Sequence, residues 1–206
     1  PRVLEGLSEY GFTAAMDFGN PIATEAAAAA VVKLDRQGKL PLRLSLMHLV
    51  NTPQLAKTAV VDSTVLAKQA RSAPVWVDTL KIMADSVFEN QKAALERPYL
   101  KDGKTPTTNF GALYFEKPAM LAMMQGVAKV GQGTAFHAIG DRAVRTALDA
   151  AQAFRQAGDH KTRLIITHAQ LVDPADVKRF AANNVIVQTT GVWINLQPSY
   201  ISFLGQ

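Results

Sequence analysis

A chain of 206 residues that is 48% hydrophobic and 19% charged has the composition of a folded globular protein with a sizeable core. Its net charge of +5 comes from scattered Lys and Arg, with no basic stripe interleaved with aromatics, so nucleic acid is not an expected partner. The lack of cysteine excludes disulfides, thiolate metal sites and cysteine nucleophiles. No run approaches the roughly 18 to 20 apolar residues of a membrane helix, since Ala26 to Val32 ends at Lys33, and no membrane partner is expected. The chain opens on Pro1 rather than Met, which leaves its compartment, cytoplasmic or periplasmic, open.

Short β-rich runs alternate with amphipathic stretches, the pattern of a parallel sheet covered by helices. Val3 to Tyr10 reads as the end of a helix, and Gly11 turns the chain into a strand over Phe12 to Phe18. Thr24 to Arg36 is helical, with an alanine-rich face suited to close packing, and Gly38 stops it. A strand over Leu42 to Val50 leads to a helix over Thr52 to Arg71 that Pro53 opens, then to a strand over Val75 to Ala84. The segment from Asp85 to about Pro118 is long and irregular, as functional lids and inserts are. Thereafter come a helix from Pro118 to Val130, a strand over Thr134 to Ile139 and a helix from Asp141 to Ala157. A strand over Leu164 to His168, a helix over Pro174 to Ala182 and a strand over Val185 to Thr190 complete the pattern. No linker divides the chain. Six strands are too few for a closed eight-stranded barrel, and periodicity alone also admits an open flavodoxin-like sheet. Neither a dinucleotide fingerprint nor a P-loop is present to favour a nucleotide.

Function in α/β proteins gathers where strands end. Those positions hold Asp17, His48, Lys81 with Asp85, His137, His168 and Gln188. His137 in FHAIGD and His168 in THAQL lie on consecutive strands, where neutral imidazoles suit zinc. A single strand-end histidine is more often a hydrogen-bonded structural residue. Lys81 sits among Trp76, Val77, Leu80, Ile82 and Met83. Facing inward it would lose its charge and become able to take up carbon dioxide as a carbamate; facing outward it would snorkel between helices. Asp141 is explained as an N-cap and His160 as a surface residue.

The segments GFTAAMDFG at 11 to 19, LKIMAD at 80 to 85, FHAIGDRAV at 136 to 144, RLIITHAQLVDPADVKRF at 163 to 180 and NVIVQ at 184 to 188 stand in the order of one known group. Together they resemble amidohydrolase family 3, the branch that includes N-substituted formamide deformylases. HAIGDRAV is the most specific element. The resemblance implies an incomplete (β/α)8 barrel, roughly strands two to seven, in one domain over 1–206 with a loop insert at about 85–118. It further implies a hydrolase of non-peptide, amide-type carbon–nitrogen bonds that works through a metal-activated hydroxide. Lys81, to be carboxylated in the family's manner, His137 and His168 would be its catalytic and metal-binding residues, holding one or two divalent ions, zinc foremost. The family's His-x-His pair and its strand-eight aspartate have no counterpart here, so an isolated, catalytically incomplete piece is expected. Ser86 stands where Gly is usual, and Thr167 where Glu is common. The substrate would be a small amide-type molecule, with Phe110, Tyr114 and Phe115 of the insert, and Tyr99 beside them, at its pocket. A truncated barrel acting as a non-enzymatic binding or assembly module, and self-associating into a homo-oligomer through exposed sheet edges, is the alternative.

Overall fold

The computed structural model describes residues 2–19, 24–72, 74–189, 191 and 198–205. Elements follow as α1 (Arg2–Glu9), β1 (Ala14–Asp17), α2 (Thr24–Arg36), β2 (Arg43–Val50), α3 (Pro53–Gln69), β3 (Val75–Met83) and α4 (Lys117–Ala128). Then come β4 (Gly133–Ala138), α5 (Asp141–Gln156), β5 (Leu164–His168), α6 (Val177–Ala182), β6 (Val185–Gln188) and α7 (Pro198–Leu204). All strand pairs are parallel, and their spatial order repeats their chain order without reversal. A flavodoxin-like sheet reverses direction at a switch point. An unreversed, curling run of β/α units is instead how consecutive strands of a (β/α)8 barrel lie.

Period-two alternation gives the sheet two faces. Leu80, Ile82, Phe136, Ala138, Leu164 and Ile166 pack in one cluster with Met120 and Met124 of α4 and Val144 and Leu148 of α5. Leu44, Leu46, Val75 and Val77 do the same with Ala28 of α2 and Leu66 of α3. Each such side chain taken out of water contributes about 1.5–3 kcal/mol. The residues between them point to the concave face, where Met47, Ala135 and Ile165 cluster with Phe18. By that alternation Lys81, His137 and Thr167 share the concave face.

Boundaries differ from the sequence reading where side chains compete with the backbone. Helix α6 begins at Val177 instead of Pro174. Asp173 accepts the amide of Ala175, and Asp176 turns its carboxylate to Arg145 and Arg179. β1 is shorter than expected and β6 is described only to Gln188; Thr190 lies outside the described residues. Gly140, not Asp141, holds the N-cap position of α5. Asp141 is the first helical residue, and its carboxylate accepts the amide of Glu96 across the fold at 3.0 Å.

The insert has no helix or strand of its own, only an isolated bridge between Leu100 and Pro106. It is nonetheless packed. Phe88, Ala93, Leu95 and Tyr99 form a separate core with Ile139 and with Tyr200 and Phe203 of α7, a helix the sequence pattern did not announce. Tyr99 is fully buried and donates to the carbonyl of Ala93. Phe115 belongs to the main core, and only Phe110 is well exposed. The expectation that Tyr99 and Phe115 face a pocket is therefore corrected: apolar burial within the insert claimed them first.

The insert lies flush on the turn that follows β4. A Cβ at Gly140 would stand 2.0 Å from the carbonyl oxygen of Ala94, and one at Gly111, whose φ is +71°, would stand 1.9 Å from that of Ala93. Asp85 fastens the same contact. Its carboxylate accepts the amides of Ala94, Ile139 and Gly140 at 2.8–3.0 Å and has no exposed surface. Removing a buried acceptor strands its donors at about 1–3 kcal/mol each, after partial relaxation. Asp85→Ala is expected to lower unfolding free energy by about 3 kcal/mol, and Gly140→Ala by about as much through overpacking, both read from urea unfolding.

Candidate active site

The register of the ladder decides which strand ends meet. Lys81 pairs with Ala135, Met83 with His137, His137 with Thr167, and Ala138 with His168. His137 thus stands on the concave face at the end of β4, 8% exposed. Strict alternation would send His168 to the helix face beside Ala138. Instead, β5 ends in two consecutive left-handed residues, His168 at φ +76° and Ala169 at φ +43°. The amides of Ala169 and Leu171 are held by the carbonyls of Ala138 and Ile139. The His168 ring meets the His137 ring edge to face, with centroids 4.5 Å apart.

Lys81 completes the group. It is 3% exposed, and its amine donates to Thr167 Oγ1 at 2.5 Å and lies 4.6 Å from the Phe18 ring centroid. Burial alone pushes the amine down to about 7. The histidines are held neutral: burial, then the neighbouring Lys81, lowers His137 to about 4. Burial, then His137 and Lys81, lowers His168 to about 3. His137 is steadied by the backbone of Ser86, while its Nε2 is buried without a hydrogen bond, 3.8 Å from Asp85 Oδ1. Burial drives the Asp85 carboxyl up to about 7 against the pull of its three amide donors. Such a set brings two neutral imidazoles together beside a lysine whose basicity burial has lowered.

The other strand-end residues do not join. Asp17 is exposed and accepts the amide of Gly19 within its own turn. Gln188 donates to the neighbouring Thr189 carbonyl. His48 lies on the helix side, where burial lowers its pKa against the pull of Asp62 and Glu25, and both its nitrogens lack partners. His160 is exposed, as expected. Sequence reasoning missed Thr167 as a participant, having noted it only as a departure, and had no signal for the left-handed turn at His168. Among the described residues, no three His, Asp or Glu side chains gather as a metal cage. The group therefore consists of two imidazoles and an amine.

The profile of amidohydrolase family 3 matches residues 2–202. The chain belongs to the amidohydrolase family. Among curated relatives, the exoenzymes regulatory protein AepA of Pectobacterium carotovorum subsp. carotovorum is 26% identical over 193 residues, 93% of this chain and 40% of that protein. The putative amidohydrolase YtcJ of Bacillus subtilis (strain 168) is 28% identical over 199 residues, 96% of this chain and 31% of that protein. The chain thus spans less than half the length of these curated relatives. Among solved structures, an uncharacterized metal-dependent hydrolase from Pyrococcus furiosus superposes with a TM-score of 0.69 at 23% identity, covering 91% of this chain and 36% of that one. A Xaa-Pro dipeptidase with bound methionine superposes with a TM-score of 0.55 at 14% identity, covering 90% of this chain and 44% of that one. These structures share the fold of an incomplete (β/α)8 barrel.

Two predictions follow from the electrostatics and the strain. Between about pH 4 and 6.5 the folded histidines bind fewer protons than the unfolded ones, so their stabilisation is complete above 6.5 and lost on acidification. Asp85, with its raised pKa, works in the opposite sense over about 4 to 7, but one carboxyl against two imidazoles leaves a net fall. The urea midpoint is expected to drop from pH 6.5 to 4, and a His137→Gln, His168→Gln double variant to lose most of that drop. At φ +76° a glycine is unstrained, so His168→Gly is expected to be about 1 kcal/mol more stable than His168→Ala in the same assay.

Proposed function

We propose that this chain carries part of the active site of a metal-dependent hydrolase acting on non-peptide, amide-type carbon–nitrogen bonds, with Lys81, His137 and His168 as its metal-binding and catalytic residues. The observation that carries the reading is the meeting of the His137 and His168 rings above a buried lysine, with His137 Nε2 left without a hydrogen bond. A buried imidazole nitrogen without a partner is costly unless something binds it. Membership of the amidohydrolase family and the fold shared with proteins described as metal-dependent hydrolases support the same reading.

The donor set fits a divalent ion of intermediate softness, and zinc is the ion we propose. Bound by Lys81, His137 and His168, such an ion supplies Lewis acidity to a scissile carbonyl and activates water. The protein's own contribution is preparation. Burial keeps both imidazoles neutral. A lysine near neutrality has a share of free amine, which with carbon dioxide forms a carbamate: a nitrogen–carbon bond is made and one amine proton is released to solvent. That would convert Lys81 from a neutral donor into an anionic one. The His-x-His pair and the aspartate that the family resemblance calls for beside these three donors have no counterpart in this sequence, so little turnover is expected of this chain by itself.

A second reading, a non-enzymatic binding or assembly module, has two observations in its favour. Ile186 and Val187 on β6 and Met16 on β1 are apolar and exposed at the two edges of the sheet, and one relative is named a regulatory protein. Self-association that rises with concentration in sedimentation analysis is its expected sign.

The deciding experiment is elemental analysis of the purified chain after zinc loading and gel filtration. Near-stoichiometric zinc is expected for the wild type and its loss in His137→Ala and in His168→Ala. Retention of zinc by both variants would remove the reading.

A further inference from the structure

We infer that Thr167 is the positioning residue for Lys81, an inference that rests on the metal-centre reading for its purpose but not for its geometry. Lys81 starts low in the barrel. Its ladder partner is Ala135, two residues below His137, a step of roughly 6.6 Å along the strand. Thr167 stands one level higher, paired with His137 itself. For the amine to reach Thr167 Oγ1 at 2.5 Å, the lysine stem must extend up the concave face to the level of the histidines.

What holds it there is the orientation of one hydroxyl. Thr167 Oγ1 donates its only proton to the carbonyl of Phe136 at 2.9 Å. Toward Lys81 it therefore presents lone pairs alone, and it accepts a proton from the lysine nitrogen. Ammonium, free amine and carbamate all retain at least one N–H, so each form is anchored alike. In the free amine the anchored N–H turns the nitrogen lone pair away from Thr167, and in the carbamate it turns the carboxylate away. Thr167 is fully buried, level with His137 in the ladder and next to His168 in the chain, and its hydroxyl touches strands β3, β4 and β5 through Lys81, Phe136 and its own backbone. The Phe18 ring bounds the amine on another side at 4.6 Å. A side chain with four rotatable bonds is thereby reduced to one arrangement.

The test compares Thr167→Val, which keeps the shape and removes the acceptor, with Thr167→Ser, which keeps the hydroxyl. Zinc affinity of the full chain, read by competition with a chromogenic chelator, is expected to fall about tenfold or more in Thr167→Val, the usual scale for losing a residue that orients a ligand. Thr167→Ser is expected to stay within about threefold of wild type. Wild-type affinity in Thr167→Val overturns the inference. Should Thr167→Val fail to fold, Thr167→Ala removes the same acceptor and replaces it. Selective 15N-lysine NMR of the metal-free chain provides a readout independent of metal. A slowly exchanging Lys81 Nζ signal is expected in wild type and Thr167→Ser and is expected to vanish in Thr167→Val. If the wild type binds no zinc, the metal reading falls, and this comparison alone decides Thr167. An unchanged Lys81 signal in Thr167→Val overturns the inference whatever the zinc result.

Discussion

A single buried carboxylate organises the mouth of this half-barrel. Asp85 stands just past the end of β3 and gathers three backbone amides, one from the insert and two from the turn after β4. Neither segment has regular structure to satisfy those amides, and each buried donor left unpaired would weaken the fold by more than a typical net hydrogen bond contributes. The carboxylate therefore sets where the insert lies, and with it the backbone of Ser86 that steadies His137. The lack of any room for a Cβ at Gly140 shows how closely the two segments approach, and the same lack at Gly111 shows how tightly the insert folds on itself. The candidate centre depends on that docking, because His137 belongs to the strand whose end the insert covers.

The opposite end of the sheet is built for another purpose. Arg155, near the C-terminus of α5, donates to the carbonyls of Asn183, Asp159, Thr162 and Asn184, closing the turns before β5 and β6. Its guanidinium, almost fully buried, substitutes for the hydrogen bonds that tight turns cannot make internally. Cohesion is concentrated there, and reactive groups are concentrated at the strand ends above, the division of labour usual in β/α barrels. Arg145 bridges the two regimes. It pairs with Glu96 of the insert and with Asp173 and Asp176 beyond His168, so that helix α5 holds both flanks of the centre.

Much of this was legible in the residues. Period-two runs separated by helical stretches marked all six strands, because a strand covered on one face by helices must alternate in a way that burial enforces. The strand-end rule picked out His137, His168 and Lys81, but the residues alone left open whether Lys81 faces inward or snorkels outward; its burial and its bond to Thr167 decide for inward. Other features were illegible for physical reasons. The left-handed turn at His168 leaves no trace in composition, since only a small minority of non-glycine residues adopt that conformation and the surroundings impose it here. Asp85 stood beside Lys81 as a strand-end candidate, whereas its role is to accept amides that are brought near only by the folded insert. Helix α7 is seven residues long, too short for periodicity to register, and Tyr99 could not be assigned to a core that α7 and the insert create between them, nor Phe115 to the main core it joins from within the insert.

The docking of α7 has a kinetic side. The sheet grows between chain neighbours, so every strand pair except β3–β4, which must span the insert, closes over a short stretch of sequence and can form early. The core shared by Phe88, Tyr99, Tyr200 and Phe203 instead joins stretches about a hundred residues apart, through backbone bonds from Leu100 to Phe203 and from Gly103 to Ser202. Such a contact must close a long loop for a small apolar reward. It is the last part of the molecule to assemble and the first to open, so the rim of the candidate site can breathe while the barrel wall beneath it stays folded.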